Sequence, residues 1–179
     1  MQFFRKIDRG LHDYLRDERV PLLLASVKYY HPIYATVNRY PGLLEEQLSG
    51  NYERATPERI HAEAWPIVSR VFEARVRRWV ERYHQRAGTG LASDRLEEVA
   101  PAAVTGRVQS LLVPEDESVW GVLDRATGAI RRHDRRQGAQ DADVLDDIAE
   151  EAYKRGAEVY VVPRASMPAP GPLAAIYRF

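Results

Sequence analysis

The chain has 179 residues, and its 26 Lys+Arg balance 26 Asp+Glu, so no global field draws it toward nucleic acid or an anionic membrane. It contains no cysteine, which excludes a disulfide framework and thiolate metal sites and fits a cytoplasmic setting. No apolar run approaches the ~20 residues that span a bilayer, and Arg5, Lys6, Asp8 and Arg9 interrupt Phe3, Phe4 and Ile7 in a way that does not read as a secretory leader.

Phe3, Phe4, Ile7, Leu11, Tyr14 and Leu15 recur at helical spacing and predict a helix over residues 2–17, weakened by Gly10. Val20 to Val27 is a short apolar run, expected as a buried strand beginning at Pro21. Tyr29, Tyr30, Tyr34 and Tyr40 cluster after it; they read either as a base-stacking platform or as rings walling a core. Short helices are expected from His31 or Pro32 to Asn38 and from Leu43 to Leu48. Thr56-Pro57-Glu58 is a helix start: a capping hydroxyl, a proline at the first position, then an acid. The apolar face running from Ile60 to Tyr83 makes this the longest element. Pro66 removes one bond from its ladder, so a kink or two consecutive helices are expected. Gly88-Thr-Gly90 marks the expected boundary between residues 1–88 and 89–179.

Ser93 is expected to cap a helix carrying Leu96, Val99, Ala100 and Ala103. Gly106 then turns the chain into a strand over Val108 to Val113. Val119 to Asp124 and Ala129 to His133 flank Arg-Ala-Thr-Gly128 and read as a hairpin. Asp141 or Asp143 starts a helix whose inner face is Val144, Leu145, Ile148, Ala149 and Ala152. Gly156 stops it. Glu158 to Val162 is a β-branched strand ended by Pro163, a proline-rich loop follows, and Leu173 to Phe179 forms a last apolar strand. These two strands should share one sheet, with the helix on its face.

Little of this is chemistry. The five histidines are scattered without an HExxH pair, no serine sits in a GxSxG elbow, and no glycine-rich loop could cradle a phosphate, so neither metal nor cofactor is expected. Two basic groups stand out. Arg131, Arg132, Arg135 and Arg136 lie on a hairpin arm and its loop, where they either grip RNA phosphates or form a solvated loop partly neutralised by Asp134. Arg70, Arg75, Arg77, Arg78, Arg82 and Arg86 stud the long helix, where a solvated face accounts for them.

In its actual residues the chain resembles the archaeo-eukaryotic peptide-chain release factor family, and most of all its bacterial branch. Ala103 to Val113 is similar to the family's helix, glycine turn and first strand. Ala149 to Val162, with Lys154-Arg-Gly-Ala157 at its centre, is similar to its helix–Gly-Ala–strand junction, and Gly171 to Phe179 to its closing strand. The resemblance implies an α/β fold: a three-layer α/β/α domain with a mixed sheet, like the ribosomal L7Ae and L30e proteins, over residues 89–179. A mainly helical part of a middle domain precedes it, so the chain is expected to be a C-terminal piece or a shortened member of a longer protein. The implied role is binding in translation or ribosome rescue, with the ribosome or tRNA as partner. A parent enzyme that hydrolyses the peptidyl-tRNA ester, and a protein-interaction or homo-oligomerising module built on the unpaired strand at Val20–Val27, are the alternatives. The family's Gly-Gly-Gln loop is missing; Gln137-Gly-Ala-Gln140 is similar to it only superficially, and no catalytic residue is assigned.

Overall fold

The computed structural model describes residues 1–16, 18, 20–136 and 142–179. It divides into two compact units, Met1–Arg75 and Val76–Phe179.

The first unit opens with helix α1 (Gln2–Leu15), followed by strand β1 (Leu22–Ser26), helix α2 (Tyr30–Ala35) and strand β2 (Leu43–Ser49). Helix α3 (Pro57–Arg86) then begins and runs on into the second unit. The sequence reading of Leu43 to Leu48 as a helix is overturned. Leu, Glu and Gln are good helix formers, yet this segment pairs in parallel with β1, Ala25 opposite Leu48 and Ser26 opposite Ser49. Tertiary pairing satisfies the backbone groups and outweighs a weak local preference. For the same reason the apolar run at Val20–Val27 is not a strand without a neighbour. The tyrosines divide: Tyr34 and Tyr40 are buried, Tyr29 is exposed, and the Tyr40 hydroxyl donates to the Val20 carbonyl at 2.6 Å. Buried Asp8 accepts from both the backbone and the guanidinium of Arg39, at 2.9 and 2.7 Å. Pro66 lies inside α3, which continues through it as one helix and not as two.

The second unit is built on a four-stranded mixed sheet. Its strands are β3 (Ala92–Ser93), β4 (Val108–Pro114), β8 (Glu158–Val162) and β9 (Ala174–Tyr177), in the order β3-β9-β4-β8. β4 runs parallel to β8 and antiparallel to β9, so the three strands read from the sequence share one ladder system. Side chains alternate across β4. Leu111 and Val113 face α4 (Leu96–Val104) and α5 (Val144–Lys154), joining Val99, Ala103, Leu145, Ile148 and Ala175. Leu112 faces the other way, with Val162, Ala174 and Ile176, onto Trp79 and Tyr83 of the last turns of α3. A shift of register between Val108 and Ser110 puts Val108 back on the α4–α5 side. The result is helix, sheet, helix, with the core on both faces of the sheet.

Ser93 does not cap α4: the residue before that helix is Arg95, in an extended conformation, and Ser93 accepts instead from the Arg95 backbone N–H at 3.1 Å. Of the two acids offered for α5, Asp143 is the cap, accepting from Leu145 N–H at 3.0 Å; Asp141 lies outside the described residues. Gly156, at φ +76°, makes the left-handed stop that a side chain would resist. Among the described residues no helix is long and apolar enough to cross a membrane.

Candidate nucleic-acid interface

The basic group at residues 131–136 sits on a small second sheet of the same unit. β5 (Trp120–Leu123) lies between β6 (Ile130–Arg132) and the two residues of β7 (Ala142–Asp143), antiparallel to both. The hairpin was legible as such, and the structure shows how tightly it is held. Asp124 starts the turn, accepting from Ala126 N–H and from the Thr127 hydroxyl, each at 2.8 Å. The Thr127 hydroxyl first, and the Ala126 amide second, hold the Asp124 carboxyl below its ordinary range. Gly128 closes the turn at φ +77°, with its Cα so near helix α4 that a Cβ would lie 2.4 Å from Pro101 Cα. Gly121 is required for a different reason: a Cβ there would meet the Arg131 carbonyl oxygen at 2.2 Å, so only glycine lets β6 close onto β5.

Arg125, in the turn, ties the hairpin to α5. It pairs with Asp147 at 2.7 Å, Glu150 at 2.8 Å and Glu151 at 2.7 Å. Glu151 is buried, and Arg155 also bonds it closely. Burial pushes the Glu151 carboxyl up, but hydrogen bonds from Arg155 and Arg125 outweigh it and the net shift is downward. The hydrogen bond to Glu150 and the one to Glu151 raise Arg125 in turn. The hairpin turn is therefore braced against α5, and Arg131 to Arg136 follow it on the second strand and beyond.

The four arginines do not act alike. Arg131, Arg132, Arg135 and Arg136 are all exposed. Arg132 faces Glu97 of α4 at 3.9 Å, an exposed pair of little energetic weight. The Arg136 guanidinium lies over the indole of Trp120, 5.6 Å from the ring centroid. Trp120 is the residue that reading the arginines as a group missed; the signal was present as Trp-Gly-Val on one strand facing Arg-Arg on the other, but it needs the ladder register to be read. Gln137-Gly-Ala-Gln140 falls outside the described residues.

Other candidates are weaker. Among the described residues no three His, Cys, Asp or Glu side chains converge as a metal site would require. A shallow concavity of about 420 Å³ in the first unit is lined by Asn51, Glu53, Arg54, Ala55 and Arg59. Its lining is polar, and Arg59 is already engaged with Glu63 at 2.9 Å and with the Tyr52 ring, which is unlike the apolar walls of most small-molecule sites. Of the arginines on α3, Arg70 pairs with Glu46 at 2.6 Å and Arg86 donates to Gln109 and to the Tyr177 carbonyl, both at 3.0 Å.

A family model for bacterial archaeo-eukaryotic release factor family 3 matches residues 1–107. Among solved structures, the chain is similar to the C-terminal domain of a peptide chain release factor from Methanosarcina mazei, at 17% identity and a TM-score of 0.50. That likeness covers 70% of this chain and 97% of that domain. It is also similar to ribosome-bound archaeal Pelota, from a structure that includes ABCE1, at 20% identity and a TM-score of 0.56 over 100% of this chain. The chain spans 49% of that Pelota. At these identities the likeness shows the fold. No curated protein matches the sequence.

Proposed function

The chain belongs to bacterial archaeo-eukaryotic release factor family 3, and from that premise we propose that it acts in translation or ribosome rescue as a binding module, contacting ribosomal RNA or tRNA through the hairpin arginines. Residues 89–179 would form the L7Ae/L30e-like binding domain and residues 1–88 part of a middle domain. The likeness of its fold to ribosome-bound Pelota supports the setting. The observation that carries the reading is the braced hairpin, with Arg131, Arg135 and Arg136 exposed on its second strand and the segment after it. On a chain of zero net charge, a local cluster of this kind is where phosphate contact concentrates.

The test is co-sedimentation of the chain with ribosomes across a salt series. Two phosphate contacts, from Arg131 and Arg135, predict an affinity roughly tenfold weaker at about 200 mM salt than at about 50 mM. Reversing charge with Arg131→Glu and Arg135→Glu should flatten that dependence. A chain that never sediments with ribosomes or tRNA at low salt refutes the proposal.

A further inference from the structure

In an antiparallel ladder, residues directly opposite each other point to the same side, and sides alternate along each strand. Val122 is opposite Arg131, Gly121 opposite Arg132 and Leu123 opposite Ile130. Leu123 belongs to the core under α4 and α5, so Gly121, Leu123, Ile130 and Arg132 mark the inner side. Arg132 accordingly reaches toward Glu97. Trp120, Val122 and Arg131 share the outer side. Trp120 is half-buried there, Val122 is 38% exposed, and the exposed Arg136 covers the indole. An aromatic ring, an apolar neighbour, a planar cation on the ring and exposed Arg131 share this outer side, and exposed Arg135 precedes Arg136 in the chain.

We propose that this outer sheet face is a stacking site for an unpaired RNA nucleotide, whose base lies on the Trp120–Arg136 pair while Arg131 and Arg135 take the flanking phosphates. The inference rests on reading the hairpin as a nucleic-acid interface and narrows that reading from nucleic acid in general to a looped or single-stranded segment. The reason is geometric. A duplex hides its base faces and offers only phosphate and groove edges, so it has no use for an indole on a sheet. An unpaired base presents a π face that stacks on an aromatic ring or a guanidinium plane. Arginines alone would serve any phosphate backbone; the ring among them is what selects.

Binding of the full chain to a labelled, unstructured RNA of about 12 nucleotides and to a blunt RNA duplex tests it by fluorescence polarisation. The wild-type chain should prefer the single strand. Trp120→Leu keeps apolar bulk and removes the ring; it should weaken single-strand binding by roughly tenfold or more and leave the duplex unaffected. Trp120→Phe should retain most of the affinity, and Arg131→Glu should weaken both ligands. Equal affinity of the wild-type chain for the two RNAs, or unchanged single-strand binding by Trp120→Leu, overturns the proposal. If Trp120→Leu does not fold, Arg136→Lys decides, because it keeps the charge and loses the plane: unchanged single-strand binding then overturns the stacking site. Ribosome co-sedimentation is scored separately. A wild-type chain that sediments with ribosomes but ignores the ring substitutions leaves the broader function standing without this site. A chain that stacks single strands but never sediments removes the ribosome and keeps the site.

Discussion

Replacing Trp79 by phenylalanine probes the contact that joins the end of α3 to the sheet. Trp79 is fully buried, stacks on Tyr83 at 5.6 Å, and its indole N–H donates to the buried Ser110 hydroxyl at 2.7 Å. The substitution removes part of a ring packed against Leu112 and Ile176, worth about 1 kcal/mol of burial and cavity. It also strands the Ser110 hydroxyl, which adds about 1–3 kcal/mol. A loss of about 2–4 kcal/mol follows. Ser110→Ala strands the indole N–H instead and should cost about 1–3 kcal/mol. The double variant leaves neither group orphaned, so both orphaning costs drop out and its loss should fall short of the summed singles by about 2 kcal/mol or more. Amide exchange at Leu111 and Leu112 reports the stability of β4 itself, whatever the first unit does. Losses that add to within about 0.5 kcal/mol would refute the argument, since uncoupled groups add.

Two further outcomes follow from the hairpin and its brace. Gly121→Val should drive β6 off β5, because even a Cβ meets the Arg131 carbonyl oxygen; exchange at the His133 amide, bonded to Trp120, should accelerate and RNA binding fall, while protection in β4 persists. Glu151 has a folded-state carboxyl held below its ordinary range, so its contribution is complete above the unfolded value of about 4.3 and is lost as pH falls through the lower folded value. Glu151→Gln should flatten that acid limb of stability in a thermal-melt series; an unchanged limb would remove Glu151 as its source.

The C-terminal part of the fold was legible because its signals are local and agree. Val144 to Ala152 repeats at helical spacing, Gly156 supplies the stop, and the run from Glu158 to Val162 ends at a proline; each is visible within a few residues. Leu43 to Leu48 failed for the opposite reason: its residues prefer a helix, and only a parallel partner about twenty positions earlier makes it a strand. Ser93 had the right chemistry for a cap at a place where the chain was still in a strand. The two-residue strands β3 and β7 carry no period at all. At the candidate site the arginines were visible as composition, but their division between two faces was not. Whether Arg131 or Arg132 keeps company with Trp120 depends on which residue stands opposite Gly121, a fact of the ladder and not of spacing.

The strand order β3-β9-β4-β8 has a consequence for biosynthesis. β9 is made last of the four yet lies between β3 and β4, so β4 has an open flank, and the floor beneath Trp79 lacks Ala174 and Ile176, until residue 177 has left the exit tunnel. This unit cannot finish folding vectorially as it is made; its helices must wait, partly uncovered, for one late insertion into the middle of the sheet.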